Sequence, residues 1–362
     1  MPVAKTLRTP SALAEAGLIP PDRIALLQGV AAQYAVAITP TIAQLIDPSD
    51  PLDPIARQFV PDSGECDHHV GEHADPIGDD VHSPTEGIVH RYPDRVLLKL
   101  VHVCPVYCRF CFRREMVGPR GRQSLSRTAL EAAYAYIRGR KEIWEVILTG
   151  GDPLILSPRR LRAVVRALSA IDHVKVIRLH TRVPVVAPER VTDALVRALK
   201  ADGKATYVVL HANHPRELTP AAIAACARLV DTGVPMLSQT VLLRGVNDEA
   251  EVLADLLRRL VESRIKPYYL HQADLAPGTS HLRTSIAKGQ DIVRSLRGRM
   301  SGLCQPTYVL DIPGGFGKVP IGHQYLTSTR DTDGGSVRYQ IEDTFGRRHQ
   351  YPPESCAAPD EV

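Results

Sequence analysis

Val96-Leu-Leu-Lys-Leu-Val-His-Val-Cys104-Pro-Val-Tyr-Cys108-Arg-Phe-Cys111 is the stretch on which the reading of this chain turns. Residues 96–103 form an apolar run that predicts a buried strand. Three cysteines stand at its end. Thiolates are soft ligands, and closely grouped thiols outside a disulfide framework point to a metal or cluster site. An iron–sulfur cube is normally filled by four cysteines. Here three stand together, which leaves one iron open to an exogenous ligand. A zinc ion completed by a ligand from elsewhere, or inert buried thiols, are the alternative readings. Zinc ribbons pair two Cys-x-x-Cys knuckles, whereas Cys66, Cys226, Cys304 and Cys356 are scattered singly.

Downstream, the pattern repeats. Apolar strand-like runs fall at 96–103, 146–149, 174–181, 207–212, 236–243, 267–271 and 308–312. Helical stretches lie between them at 126–138, 157–168, 188–199, 220–230, 248–262 and 289–300. Several open on a capping residue or proline. Alternating strands and helices predict a parallel sheet with right-handed crossovers, and six units plus a last strand predict an incomplete or full (β/α) barrel. The unusual polar residues lie at the carboxyl ends of the strands, with Gln239 within the fifth: Cys104, Gly150-Gly151-Asp152, His180-Thr181-Arg182, His211, Gln239, Tyr268, His271, Asp274 and Asp311 to Lys318. Barrel enzymes build their sites at these carboxyl ends. A doubly wound sheet would concentrate its contacts at a single crevice.

Residues 1–60 read as a helical extension broken by prolines, and 61–94 as a polar linker leading into the barrel at 95–325. Residues 326–362 read as a tail with a hairpin around Asp333-Gly-Gly335. Within the linker, Cys66, His68, His69 and His73 read as solvated rather than as a metal cluster. The chain has 362 residues, 44% of them hydrophobic, and a formal net charge of +4. Its basic residues are distributed, which argues against a nucleic-acid arm. No run approaches the roughly 18 apolar residues of a membrane span. The odd cysteine count predicts a reducing, cytoplasmic setting.

Asp311-Ile-Pro-Gly-Gly-Phe-Gly317-Lys318 forms a second constellation. A lysine after a glycine-rich loop at a strand end can hold an aldehyde cofactor. A phosphate loop would continue with Ser or Thr into a helix, and Val319-Pro320 follows instead. The spacing Cys-x3-Cys-x2-Cys, with Thr149-Gly150-Gly151-Asp152 after the next strand, matches the radical S-adenosylmethionine motif and resembles that superfamily's glycine-rich turn. Added blocks are His90-Arg91-Tyr92-Pro93-Asp94-Arg95, Cys111-Phe-Arg113-Arg114, Thr181-Arg182-Val-Pro184, His211-Ala-Asn-His-Pro215, Leu242-Leu-Arg244-Gly245-Val-Asn247 and Asp274-Leu-Ala-Pro-Gly278. Together they resemble the lysine 2,3-aminomutase family.

That resemblance implies a partial (β/α)6-type TIM barrel of the radical S-adenosylmethionine superfamily, α/β in class. It implies an isomerase that moves the α-amino group of L-lysine to C3 with a [4Fe–4S] cluster, S-adenosylmethionine and pyridoxal phosphate. By position, Cys104, Cys108 and Cys111 would hold the cluster, and Gly150, Gly151, Asp152, His211 and Gln239 would meet S-adenosylmethionine. Lys318, Arg91 and Arg95 would bind pyridoxal phosphate, and Arg113, Asp274 and Asp311 the substrate. The family also implies a one-electron reductant such as flavodoxin or ferredoxin, and a homo-oligomer. A relative serving elongation factor P modification, an enzyme acting on arginine or ornithine, and a non-catalytic iron–sulfur or zinc scaffold are the competing readings. Phe316 stands where typical members have glycine. Anaerobic reconstitution is expected to give about four irons per chain. A Cys108→Ala chain that keeps this iron would contradict the ligand assignment.

Overall fold

The computed structural model describes residues 5–67, 69–118, 123–330 and 337–351. Each of the seven apolar runs forms a strand of one nine-stranded sheet, laid down in sequence order. These are β2 Arg95–Val101, β3 Glu145–Gly150, β4 Val176–Thr181, β5 Ala205–His211, β6 Met236–Leu242, β7 Ile265–Gln272 and β8 Thr307–Ile312. All six pairings among them are parallel. An added strand, β1 Ile88–Tyr92, pairs antiparallel with β2, and β9 Gly317–Pro320 pairs antiparallel with β8. The expected partial barrel is therefore present, with an antiparallel strand on each edge.

The helices between the strands are amphipathic, and most are capped by a side chain. Ser126, Ser157, Thr219 and Ser285 each accept a backbone N–H of the helix they precede. Pro158–Ser169 turns Leu161, Val164, Val165 and Leu168 inward, the i, i+3, i+4, i+7 stripe of a helix packed on a sheet. The helix expected over 188–199 is shorter. A 3-10 turn occupies Pro188–Arg190, and the α-helix Asp193–Leu199 starts afresh behind the Thr192 cap.

β1 and β9 share no ladder and meet through side chains. The Lys318 amide donates to the Tyr92 hydroxyl at 2.8 Å. Arg91 lies 3.8 Å from Asp311, and His82 Nε2 is 2.9 Å from the Gly315 carbonyl. Backbones touch here as well: Gly78 has φ +68°, and a Cβ on it would collide with Gly315. Only glycine fits that crossing.

The segment read as a linker is instead packed structure, a correction to that expectation. Besides β1, it contributes Glu65, fully buried, and Asp79, nearly so. Glu65 accepts from Arg109 Nε at 2.9 Å and from the terminal nitrogens of Arg109 and Arg114. Its polar sequence hid this, because the arginines that make burial tolerable arrive from 44 and 49 residues away. Cys66 is exposed, and His68 lies outside the described residues. The N-terminal helices Ile24–Gln33 and Pro40–Leu45 place Leu27, Val30 and Ile42 in the same core as the barrel strands.

The tail forms its own antiparallel sheet of β10 Leu326–Arg330, β11 Val337–Glu342 and β12 Arg348–Tyr351. The Asp333-Gly-Gly335 turn lies outside the described residues. Among the described residues, no helix is long and apolar enough to cross a membrane.

Removing one partner of a fully buried ion pair typically costs about 3–5 kcal/mol. Glu65→Ala is therefore expected to lower the thermal midpoint well below that of the unaltered chain. Unchanged calorimetric melting would show that the Glu65–Arg109–Arg114 group does not hold the two segments together.

Candidate active site

The carboxyl ends of the strands surround a cavity of about 360 Å³. One wall is the loop leaving β2, with Cys104, Cys108 and Cys111 lining the space. The loop is fixed from outside the barrel. The Tyr107 amide donates to the Ala37 carbonyl at 3.1 Å, and the Arg109 amide to the Gln58 carbonyl at 2.8 Å. Burial pushes the Cys104 thiol well above its ordinary pKa and the Cys111 thiol up to about 11. Burial also raises Cys108, although the Arg182 guanidinium opposes it. Three thiols in this state become ligands only when a metal centre replaces their protons. Among the described residues, no three His, Cys, Asp or Glu side chains converge closely enough to share a single ion.

The glycine turn lies beneath this loop. Gly150 has φ +105°, and a Cβ on Gly150 or Gly151 would strike the Val101 or Val103 carbonyl oxygen. The glycines therefore let β3 pack directly under the cysteine loop, while still lining the cavity. Asp152 lines the cavity beside them. Its carboxylate accepts from the Arg182 amide at 2.7 Å, Thr181 Oγ1 at 2.7 Å, the Leu154 amide at 3.0 Å and the Val183 amide at 3.2 Å. Four protein donors hold it, so Asp152 ties the glycine turn to the end of β4. His211 and Gln239 are register partners on β5 and β6. Burial drives His211 well below its ordinary pKa, which leaves it neutral, and its Nε2 is buried without a partner.

Across the cavity stands Lys318. Its amine bonds the Asp311 carboxylate and lies 3.2 Å from His271 Nδ1. Burial alone would raise Asp311, but His271, 3.8 Å away, and the Lys318 charge outweigh it and hold it well below the usual carboxylate range. Asp274 is different. It faces the same cavity with no hydrogen bond or ion pair among the described residues. Burial and the neighbouring Asp311 charge push its carboxyl up to about 7. An unpaired, recessed carboxylate of this kind is a place for a cation.

Arginines complete the walls. Arg95 stacks 3.9 Å over the Tyr92 ring. Arg91 donates to the Ile77 carbonyl at 2.7 Å and to Asp79 at 3.2 Å. Arg113 donates to the other Asp79 oxygen from Nε at 3.1 Å and Nη2 at 2.9 Å. Arg113 Nη1 makes no hydrogen bond among the described residues.

Every residue singled out from the sequence for a site role lines this one cavity. Sequence reasoning missed Asp79, which bridges two of the arginines, and gave no role to His180, whose buried Nε2 also lacks a partner. His180 ends a strand beside Thr181-Arg182, which was the available signal. Asp79 sits in a polar stretch that offered none.

Residues 98–257 match the family model described as the radical SAM superfamily, and residues 293–334 match that described as lysine-2,3-aminomutase. The chain is 43% identical to the L-lysine 2,3-aminomutase of Clostridium subterminale over 293 residues, 81% of this chain and 70% of that one. Identity to the L-lysine 2,3-aminomutase of Methanococcus maripaludis is 44% over 296 residues, 82% and 68% of the two chains. The glutamate 2,3-aminomutase of Clostridioides difficile is 38% identical over 302 residues, 83% and 71% of the two chains.

With Asp274 titrating near 7, the carboxyl is neutral below that pH and anionic above it, while an alkylammonium stays charged to about pH 10. Binding of an ammonium-bearing amino acid is therefore expected to strengthen as pH rises from about 6 to about 8. Asp274→Asn should flatten that rise. Calorimetric titration that finds the same pH dependence in both chains would reject the assignment.

Proposed function

The chain belongs to the lysine 2,3-aminomutase family of radical SAM proteins, and on that premise we propose that it is an isomerase that converts L-lysine to β-lysine. The observation that carries the choice of substrate is the pair Asp274 and Asp311 in a cavity shared with the three thiols and Lys318. A long cationic side chain entering that space needs opposite charge to offset lost hydration. Asp274 offers an open carboxylate, and Asp311 one shared with Lys318 and His271. A glutamate side chain would meet repulsion from both.

Cys104, Cys108 and Cys111 would hold a [4Fe–4S] cluster, and Gly150, Gly151, His211 and Gln239 would border S-adenosylmethionine. Lys318 would hold pyridoxal phosphate, with Arg91 and Arg95 as its anion partners. The residues fit: buried thiols in need of a metal, an unpartnered imidazole nitrogen, and an amine facing into the same space. When bound, these groups supply a carbon radical able to remove hydrogen and an aldehyde carbon able to carry a migrating nitrogen.

The chain's own residues orient the substrate. Arg113 receives the α-carboxylate through the edge that Asp79 leaves free, a task suited to a planar guanidinium. The two aspartates receive the distal ammonium. Held at both ends, the substrate keeps its C2–C3 bond in a fixed place between the thiol wall and Lys318, which limits side reactions of a radical. Asp311 and His271 hold the Lys318 amine in position until the substrate's amine arrives.

Anaerobic incubation with L-lysine, L-ornithine, L-arginine and L-glutamate, under a one-electron reductant, tests the reading. Chromatography is expected to find the β-isomer of lysine, and none from glutamate. Turnover of arginine or ornithine in preference to lysine would move the substrate assignment, and no isomer from any of them would remove it. Borohydride reduction of the pyridoxal-loaded chain is expected to label Lys318, and label on another lysine alone would end its role.

A further inference from the structure

Arg182 lies under the cysteine loop and has been given no role so far. Its Nη1 donates to Cys108 Sγ at 2.9 Å. Nη2 donates to Glu217 Oε2 and to Gln58 Oε1, both at 2.6 Å. The guanidinium is nearly buried, with its carbon 4.7 Å from the Phe59 ring centre and 5.2 Å from that of Phe110. Its backbone amide is held by Asp152. The counter-charge is equally fixed. Glu217 is fully buried, and its Oε1 accepts from the Asn213 and His214 amides at 2.9 Å each and from Gln58 Nε2 at 3.3 Å.

Such a buried cation, aimed at one sulfur and backed by one carboxylate, does more than fill space. Hydrogen bonds to cluster sulfurs, local charge and burial set the reduction potential of an iron–sulfur centre. A donor cation stabilises the more negative, reduced state, and a nearby carboxylate opposes it. We propose that Arg182 is a positioning residue that acts through Cys108 to raise the potential of the cluster, with Glu217 as its counterweight. This rests on the reading of the three cysteines as cluster ligands. It also gives the N-terminal extension a part in the chemistry, since Gln58 binds Arg182 by its side chain and the cysteine loop by its carbonyl.

The test is a redox titration of the reconstituted holoenzyme, followed by electron paramagnetic resonance, for the unaltered chain and for Arg182→Gln, Arg182→Lys and Glu217→Gln, with iron measured in each. Arg182→Gln is expected to move the midpoint to more negative potential, Arg182→Lys to move it less in the same direction, and Glu217→Gln to move it to more positive potential. A merely structural role would not give opposite signs. Iron-replete variants with the unaltered midpoint, or shifts of one sign in Arg182→Gln and Glu217→Gln, overturn the proposal. Where Arg182→Gln loses its iron, the opposite shifts of Arg182→Lys and Glu217→Gln decide in the same way. An unaltered chain that takes up no cluster overturns the functional reading, and this assignment with it.

Discussion

A carboxylate stripped of water needs a cation or several hydrogen-bond donors beside it, and this constraint shapes the whole site. Glu65 takes Arg109 and Arg114. Asp79 takes Arg91 and Arg113. Glu217 takes Arg182, and Asp311 takes Lys318. Three of these groups tie a residue on or under the cysteine loop to a carboxylate far away in sequence, so the loop is held by charge from several directions at once. Burial alone would raise Glu65 and Asp79, yet their arginines keep both below the ordinary carboxylate range. Both stay ionised at neutral pH, so the clamp is permanent there.

Against this background Asp274 stands apart. It is the carboxylate in the cavity that the protein leaves without a partner, and its raised pKa reports that imbalance. Glu65, Asp79 and Glu217 are paired with the protein's own arginines, and Asp152 is held by four hydrogen-bond donors. Leaving one open beside Lys318 makes an incoming ammonium the natural completion of the set. On the proposed reading, specificity would come from charge inside the cavity, with Arg113 at one end of the substrate and the two aspartates at the other.

Much of the fold was legible because its strands are predominantly apolar runs separated by amphipathic helices. Residues 146–149, 236–243 and 308–312 announced β3, β6 and β8 in this way. β1 and β9 did not. His90-Arg91-Tyr92 and Gly317-Lys318 are polar edge positions whose pairing depends on tertiary placement. The same holds for the site. Cys104, Lys318 and Asp274 carry chemistry in their identity and spacing, whereas Asp79 and Glu65 acquire meaning only when arginines from other segments reach them. Gly150 and Gly151 were legible as an obligatory turn, but the partner that requires glycine is the backbone of residues 101–103.

The central claim is that a thiol-bound cluster and a lysine-bound aldehyde face each other in one chamber. Diffraction at the iron absorption edge from crystals of the reconstituted, pyridoxal-phosphate-loaded enzyme tests it most directly. Anomalous density is expected beside the sulfurs of Cys104, Cys108 and Cys111, with continuous density from the Lys318 amine into the same cavity. Iron at other residues, or a Lys318 amine with no attached density while the cofactor sits elsewhere, would contradict it.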